Sequence, residues 1–404
     1  MQETVVIAGA GHAAGQVVAT LKQKNFGGEI VLVGDEPCLP YQRPPLSKKF
    51  LAGELPAERL AFKPTSFYDD EHIDVRLNTH IDGIDRAVNC LRLADGSEID
   101  YDRLVIAFGA RARRMSVDGA GLAGVHYLRT IEDVNGIRAE IEAKGKLVIV
   151  GAGYIGLEVA AVCRQLGMDV TVIEMADRVM SRVVSQQVSD FYHDEHTAQG
   201  VKLMLSTGLA AFQGKTRVES VQLDNGESIP ADFVIVGVGV IPNTELAAAA
   251  GLDVDNGIVV DEQCRTSDPD IYAVGDCTSH PNSIYRRQLR LESVHNALEQ
   301  AKTAASNICG DETRYSQVPW FWSDQYDLKL QIAGLSQGFD QVVIRGDAAN
   351  RNFACLYLEQ GRLIAVDAIN SPKEFVHSKA LIASRAIINP ELLANTDIAL
   401  KELG

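Results

Sequence analysis

The chain has 404 residues, 46% of them hydrophobic, with 38 basic against 54 acidic side chains and a net charge of −16. At roughly 150 residues per domain, this length holds two or three domains with ample core. The negative field disfavours nucleic acid and anionic lipid as partners, and the lack of any apolar run of about 18 residues argues against a membrane-spanning helix.

The first residues enter a strand without a signal-peptide pattern, so the expected location is the cytoplasm. Seven cysteines are scattered, odd in number and never spaced C-x-x-C. They are expected to be reduced packing residues, with neither a disulfide framework nor a metal site.

The β-branched run Thr4-Val5-Val6-Ile7-Ala8 leads into Gly9-Ala10-Gly11-His12-Ala13-Ala14, then an amphipathic helix. A second strand, Glu29 to Val33, ends at Gly34-Asp35, with Glu36 next. A hairpin turn at Asp95-Gly96 and the apolar strand Leu104 to Phe108, running into Gly109, complete the unit.

The same order then recurs. Lys146-Leu147-Val148-Ile149-Val150 leads into Gly151-Ala152-Gly153-Tyr154-Ile155-Gly156, then a helix, the strand Asp169 to Ile173 closed by Glu174, a turn at Asn225-Gly226, and Phe233 to Gly237. Early glycines let the backbone turn tightly and approach phosphate oxygens, and a helix start offers unpaired N–H groups at a positive dipole end. The strand-then-helix context separates such a cradle from a chance GxGxxG. Two cradles imply two dinucleotides.

Ile271-Tyr272-Ala273-Val274-Gly275-Asp276 and a helix from about Ser293 to Ile308 need a sheet to join, so the second unit is read as an insertion in the first. Past Pro319 the pattern changes to period-two strands, such as Val342 to Arg345 and Phe353 to Leu358, with helical segments near His377 to Ala386. The expected fold class is α/β: two Rossmann-like domains, the second inserted in the first, plus a C-terminal α+β domain. Boundaries fall at 1–110 and 241–318 for the split domain, 111–240 for the insertion and 319–404 for the C-terminal domain.

An acid closing the second strand of such a unit bonds ribose hydroxyls and rejects a 2′-phosphate. Glu174 therefore predicts NADH over NADPH. Arg178 and Arg182 lie just beyond and pull the other way, but neither takes the place of the acid. In the first unit the acid is displaced by Gly34 to Asp35, which leaves that ribose contact less defined. The plainer reading of either acid is a solvated loop charge.

These residues resemble the oxygenase-coupled NADH-dependent ferredoxin reductases, within the two-dinucleotide flavoproteins. The matching stretches are Leu39 to Lys48, Tyr127-Leu128-Arg129-Thr130, Gly153 to Glu158, Thr266 to Cys277, Glu292 to Ala297 and Pro319 to Tyr326. They cover nearly the whole chain in order.

The resemblance implies FAD in the split domain, NADH in the insertion and a C-terminal domain covering the flavin ring. It implies FAD contacts from Gly9, Gly11, His12, Ala13, Ala14, Asp35, Arg43, Lys48, Ile81, Arg129, Gly275, Asp276, Val294 and Trp322. For NADH it implies Gly151, Gly153, Tyr154, Ile155, Gly156, Glu158, Glu174 and Gly239. Lys48 matches the lysine beside the flavin N5 edge and Glu158 its acidic partner, the pair expected to be catalytic, although Lys48 also reads as a surface cation. Of Trp320 and Trp322, one reads as a core anchor. The family's A-T-G and following proline are replaced by Ala107-Phe108-Gly109 and Ala112.

The implied reaction is hydride transfer from NADH to FAD, then single-electron steps to a two-iron two-sulfur ferredoxin feeding a haem-thiolate monooxygenase or a ring-hydroxylating dioxygenase. Arg286, Arg287 and Arg290 would meet that acidic partner, the alternative being ordinary solvated charge. The chain is expected to be a monomer or weak dimer. Rival readings are a rubredoxin reductase, a disulfide reductase and a regulatory flavoprotein resembling apoptosis-inducing factor. A disulfide reductase needs an activated thiol at the flavin, and the stretch Arg43 to Lys48 has none.

Overall fold

The structure, a computed structural model, describes residues 3–143 and 145–403. The chain divides into two compact units: Met1–Arg43, Glu58–Arg111 and Ile241–Pro319 form one, and Pro44–Ala57, Ala112–Val240 and Trp320–Gly404 the other.

In the first unit, five parallel strands are ordered Ile271–Ala273, Arg103–Ile106, Thr4–Ala8, Glu29–Val33 and Ile73–Arg76. Val5 to Ala8 are fully buried, as a parallel strand covered on both faces requires. On one face, helix His12–Gln23 packs against helix Val294–Ile308. The contact uses small residues, Ala13 and Ala14 against Ala297, Ala301 and Ala304. The stretch Ile271 to Ala273 does join this sheet, from far along the chain.

The second unit repeats the pattern. Its parallel sheet is ordered Lys202–Met204, Asp169–Ile173, Lys146–Val150, Phe233–Val236 and Val125–Tyr127. The duplication extends to individual hydrogen bonds. Gly9 N–H donates to Val33 as Gly151 N–H does to Ile173, and Ala107 N–H donates to Ala8 as Gly237 N–H does to Val150. Each hairpin turns on a positive-φ glycine, Gly96 at 84° and Gly226 at 87°, the left-handed backbone that favours this residue.

The second unit also carries an antiparallel sheet ordered Trp320–Gln325, Leu328–Gly334, Arg362–Ile369, Asn352–Glu359 and Gln341–Asp347. Helix Pro372–Ser384 packs on it. This helix starts before the expected His377, because Pro372 occupies its first turn, where a missing N–H costs nothing.

Candidate functional site

Both glycine turns have the geometry of a phosphate cradle. A Cβ on Gly9 (φ 114°) would sit 2.4 Å from the Ala107 carbonyl oxygen, and one on Gly151 (φ 103°) 2.5 Å from that of Gly237. Those glycines serve the turn itself. At Gly11 and Gly153 a Cβ would meet nothing within 4 Å, so each faces open space. The helices that begin there, His12–Gln23 and Tyr154–Gln165, have no side-chain cap and no acid in the first turn.

Some other helix starts do carry a side-chain cap. Thr130 and Asp133 form a reciprocal capping box on helix Ile131–Glu142, and Ser293 accepts from Asn296 N–H at the helix that opens at Val294. A helix start without a side-chain cap beside open, glycine-lined space suits an external anion. The residues present therefore fit two dinucleotides, on an observation independent of the motif.

Around the first cradle, Gly275 (φ 85°) brings its backbone against Ala13, where a Cβ would lie 3.4 Å from the Ala13 Cβ. The Gly275 N–H is fixed by Gln300 Oε1 at 2.8 Å. The cradle and the Gly275-Asp276 stretch thus meet in the first unit. His12 edges onto Phe62, and Ile81 is buried with its side chain in the core.

The position equivalent to Glu174 is Gly34. Gly34 N–H donates to Arg76 O as Glu174 N–H does to Met204 O, and Thr79 and Thr207 N–H return to Gly34 and Glu174. Glycine is needed because a Cβ there would lie 2.4 Å from the Ala10 Cβ. Asp35 is 65% exposed and pairs with His80. Glu36 is more enclosed, held by Arg43 at 2.6 Å and by the Tyr41 hydroxyl at 2.6 Å. The replaced A-T-G stretch is tied down by Asn243, whose Nδ2 donates to Phe108 O at 2.9 Å.

In the second unit, Glu174 accepts from Ala152 N–H at 2.7 Å and Ala176 N–H at 2.9 Å, so its carboxylate is fixed beside the cradle. Arg178 spends its guanidinium on the carbonyls of Ser181 and Val184. Arg182 is exposed. Ile155 is 41% exposed at the helix start, and Gly156 backs onto Gly151. Gly239 (φ 100°) is exposed with open space around it.

The same unit contains Lys48 and Glu158. Their Nζ and Oε2 are 2.6 Å apart, with side chains only 16% and 3% exposed. Glu158 also accepts from Ser47 Oγ at 2.5 Å and Ser323 Oγ at 2.6 Å. The serines satisfy lone pairs that burial would otherwise leave unpaired, and neither was apparent from the motifs. Trp322 lies beside Trp320 and Phe321, Tyr154 packs on Phe321 at 4.8 Å, and Trp320 turns toward Phe375. The half-buried Arg129 donates its backbone N–H to Asp133.

None of the seven thiols is disulfide-bonded. Burial pushes every one upward, Cys163, Cys277 and Cys355 to about 12. A raised value disfavours the thiolate at each of them.

Residues 3–301 match the family described as pyridine nucleotide-disulphide oxidoreductase, and residues 320–404 match the reductase C-terminal domain. The chain belongs to the pyridine nucleotide-disulphide oxidoreductase family. It is an oxidoreductase, and FAD with NAD(P)H are the cofactors of this family. A ferredoxin–NAD(P)(+) reductase of Sphingomonas sp. is 44% identical, covering 96% of this chain and 94% of its own. Putidaredoxin reductase of Pseudomonas putida is 43% identical, covering 99% and 96%. The covalent putidaredoxin reductase–putidaredoxin complex superimposes with a TM-score of 0.96 at 44% identity, covering 99% of this chain and 97% of that one. Among the described residues, no helix is long and apolar enough to cross a membrane.

Proposed function

We propose that this family member is an NADH-dependent reductase of a two-iron two-sulfur ferredoxin that serves a haem-thiolate monooxygenase or a ring-hydroxylating dioxygenase. The observation carrying this reading is the pairing of two uncapped, glycine-led helix starts with a buried Lys48–Glu158 ion pair and no activated sulfur. Relatives named as ferredoxin and putidaredoxin reductases support the acceptor class.

FAD, when bound, supplies the ability to take two electrons as a hydride from NADH and release them singly. The protein supplies position and charge. Gly9, Gly11, His12, Ala13, Ala14 and the Gly275-Asp276 stretch form the FAD side in the first unit, with Asp35, Arg43 and Ile81 beside them and the helix start at Val294 for the pyrimidine edge. Arg129 and Trp322 belong to the same set. The second cradle, Gly151 to Gly156 with Gly239, takes NADH, and the fixed carboxylate of Glu174 selects against a 2′-phosphate.

Lys48 Nζ, paired with the Glu158 carboxylate, presents a fixed positive charge where negative charge develops. Glu158 keeps that ammonium in place. Ferredoxin docking falls to Arg286 and Arg287, both exposed on the hairpin after Thr278–Asn282. Arg290 contributes less, since it is already paired with Glu292. Seven unpaired thiols suit a reducing compartment such as the cytoplasm.

An anaerobic NADH titration of the purified yellow protein tests cofactor and donor. Cytochrome c reduction through added ferredoxins then tests the acceptor. Flavin that stays oxidised under excess NADH refutes the reading. Turnover with a rubredoxin and with no ferredoxin reassigns the acceptor, and very slow turnover with all carriers favours a regulatory flavoprotein. Loss of activity on thiol alkylation would restore the disulfide reductase.

A further inference from the structure

The buried carboxylate of Glu158 is the end of a longer chain of polar groups. Ser323 Oγ lies 2.6 Å from Glu158 Oε1, and Gln325 Nε2 lies 3.1 Å from Ser323 Oγ. Gln325 Oε1 is 2.8 Å from His196 Nε2, and His196 Nδ1 is 3.2 Å from the Tyr326 hydroxyl. Ser323 and His196 are fully buried and Gln325 is 1% exposed. So much enclosed polarity must be satisfied internally.

The direction of every bond follows from the carboxylate. Glu158, paired with the Lys48 ammonium, can only accept, so Ser323 must spend its single proton on it. Ser323 Oγ is then an acceptor, which forces the amide of Gln325 to face it with Nε2. The carbonyl of Gln325 consequently points at His196 Nε2 and requires a proton there. In a neutral ring Nδ1 then accepts, and it takes the proton of Tyr326. Burial lowers His196 to about 4, in keeping with a neutral ring.

We propose that Tyr326, His196, Gln325 and Ser323 are positioning residues for the Lys48–Glu158 pair, a one-way file of donors that occupies Glu158 Oε1 and leaves Oε2 to Lys48 and Ser47. This rests on the reading that the pair serves the flavin. The file does not conduct protons, because passage through Gln325 would need the unstable imidic acid form of its amide. Its effect is orientation, with each bond polarising the next.

Two further features fit a positioning role. Tyr326 holds φ 57° in the two-residue turn between Gln325 and Leu328, an unfavourable conformation for a bulky residue, and it aims the hydroxyl at His196. Arg351 ties that turn to the helix carrying His196, bonding Asp327 at 2.5 Å and Glu195 at 3.2 Å.

The test begins with holoenzyme labelled with 15N-histidine, in which His196 is assigned by its loss from the His196→Gln spectrum. At pH 7.5 its ring should be neutral and protonated at Nε2, and a ring protonated at Nδ1 or at both nitrogens overturns the proposal. In stopped-flow flavin reduction, Ser323→Ala should lower the limiting rate about 10-fold while the NADH Kd changes less than about 2-fold. Ser323→Thr, which keeps the hydroxyl, should recover most of that rate.

A wild-type rate in Ser323→Ala overturns the proposal, as does a Ser323→Thr rate equally low, which assigns the loss to packing. Should Ser323→Ala not fold, the ring nitrogen measurement on the unaltered enzyme decides. Lys48→Met separates the two readings: if it reduces flavin at the wild-type rate, the role of the pair fails, and the proposal with it, even where His196 carries the expected proton. If Lys48→Met is slow and His196 carries the wrong proton, the pair stands and the file falls.

Discussion

Gly151 and Gly153 stand two residues apart in one turn, and the structure assigns them opposite tasks. Alanine at Gly151 would enter a left-handed backbone (φ 103°) and place its Cβ 2.5 Å from the Gly237 carbonyl oxygen. Strain of this kind costs roughly 1–3 kcal/mol. Relief of the clash must also part the central strand from its neighbour, so Gly151→Ala should lose about 2–4 kcal/mol in all. At roughly 2–4 °C per kcal/mol for units of this size, the melting temperature should fall by about 5–15 °C. Gly153 has φ −79° and open space around its Cβ position. Gly153→Ala should therefore melt within about 0.5 kcal/mol of the parent, but fill the gap through which the phosphates reach the bare N–H groups. NADH affinity should drop at least about 10-fold, or 1.4 kcal/mol. Scanning calorimetry with NADH titration by calorimetry reads both quantities. Full NADH affinity in Gly153→Ala would refute the cradle, and equal stability of the two variants would refute the strain argument.

Replacing Glu174 by glutamine removes the charge held by Ala152 and Ala176 N–H; the ratio of kcat/KM for NADH over NADPH should fall about 10-fold, and an unchanged ratio would assign discrimination elsewhere. Asp367 is buried, and desolvation pushes its carboxyl up to about 7, opposed by a hydrogen bond from Tyr357. With a folded value above the unfolded value of about 3.9, its contribution to stability is complete below about pH 4 and disappears as pH rises to about 7. Asp367→Asn should therefore flatten the fall in melting temperature between pH 5 and pH 7, and parallel curves for parent and variant would contradict this. If Arg286 and Arg287 meet an acidic ferredoxin, rising ionic strength should slow ferredoxin reduction while leaving flavin reduction by NADH unchanged, and a salt-independent rate would remove them from the docking surface.

The doubled architecture was legible because its signals are local. A β-branched run, a glycine turn and an alternating helix occupy about thirty consecutive residues, and tandem recurrence leaves little room for coincidence. The displaced acid at Asp35 was visible too, but its reason was not: the Ala10 methyl occupies the space a side chain at position 34 would need. The start of the last long helix carried a readable signal in Ser371-Pro372, which the apolar pattern alone passes over. What no local pattern could show is that Pro44–Ala57 groups with the second compact unit although it precedes the first hairpin. That assignment is a property of the folded chain.

The site divides along the same line. Lys48 and Glu158 were reachable because the family likeness gives each of them a role, whereas Ser47, Ser323 and Gln325 lie in matching stretches without one and His196 lies outside them, so all four read as ordinary polar residues. Their significance comes from burial, which the sequence does not display for a polar residue. Once Glu158 is enclosed at 3% exposure, each oxygen needs donors, and every donor brought in needs its own acceptor satisfied in turn. The requirement propagates through Ser323 and Gln325 to His196, fully buried on helix Gln186–Ala198, and stops only where the half-buried Tyr326 reaches the edge of the antiparallel sheet. A single buried charge thus fixes the chemistry of residues more than 160 positions away, which is why the pair could be read from the chain and its support could not.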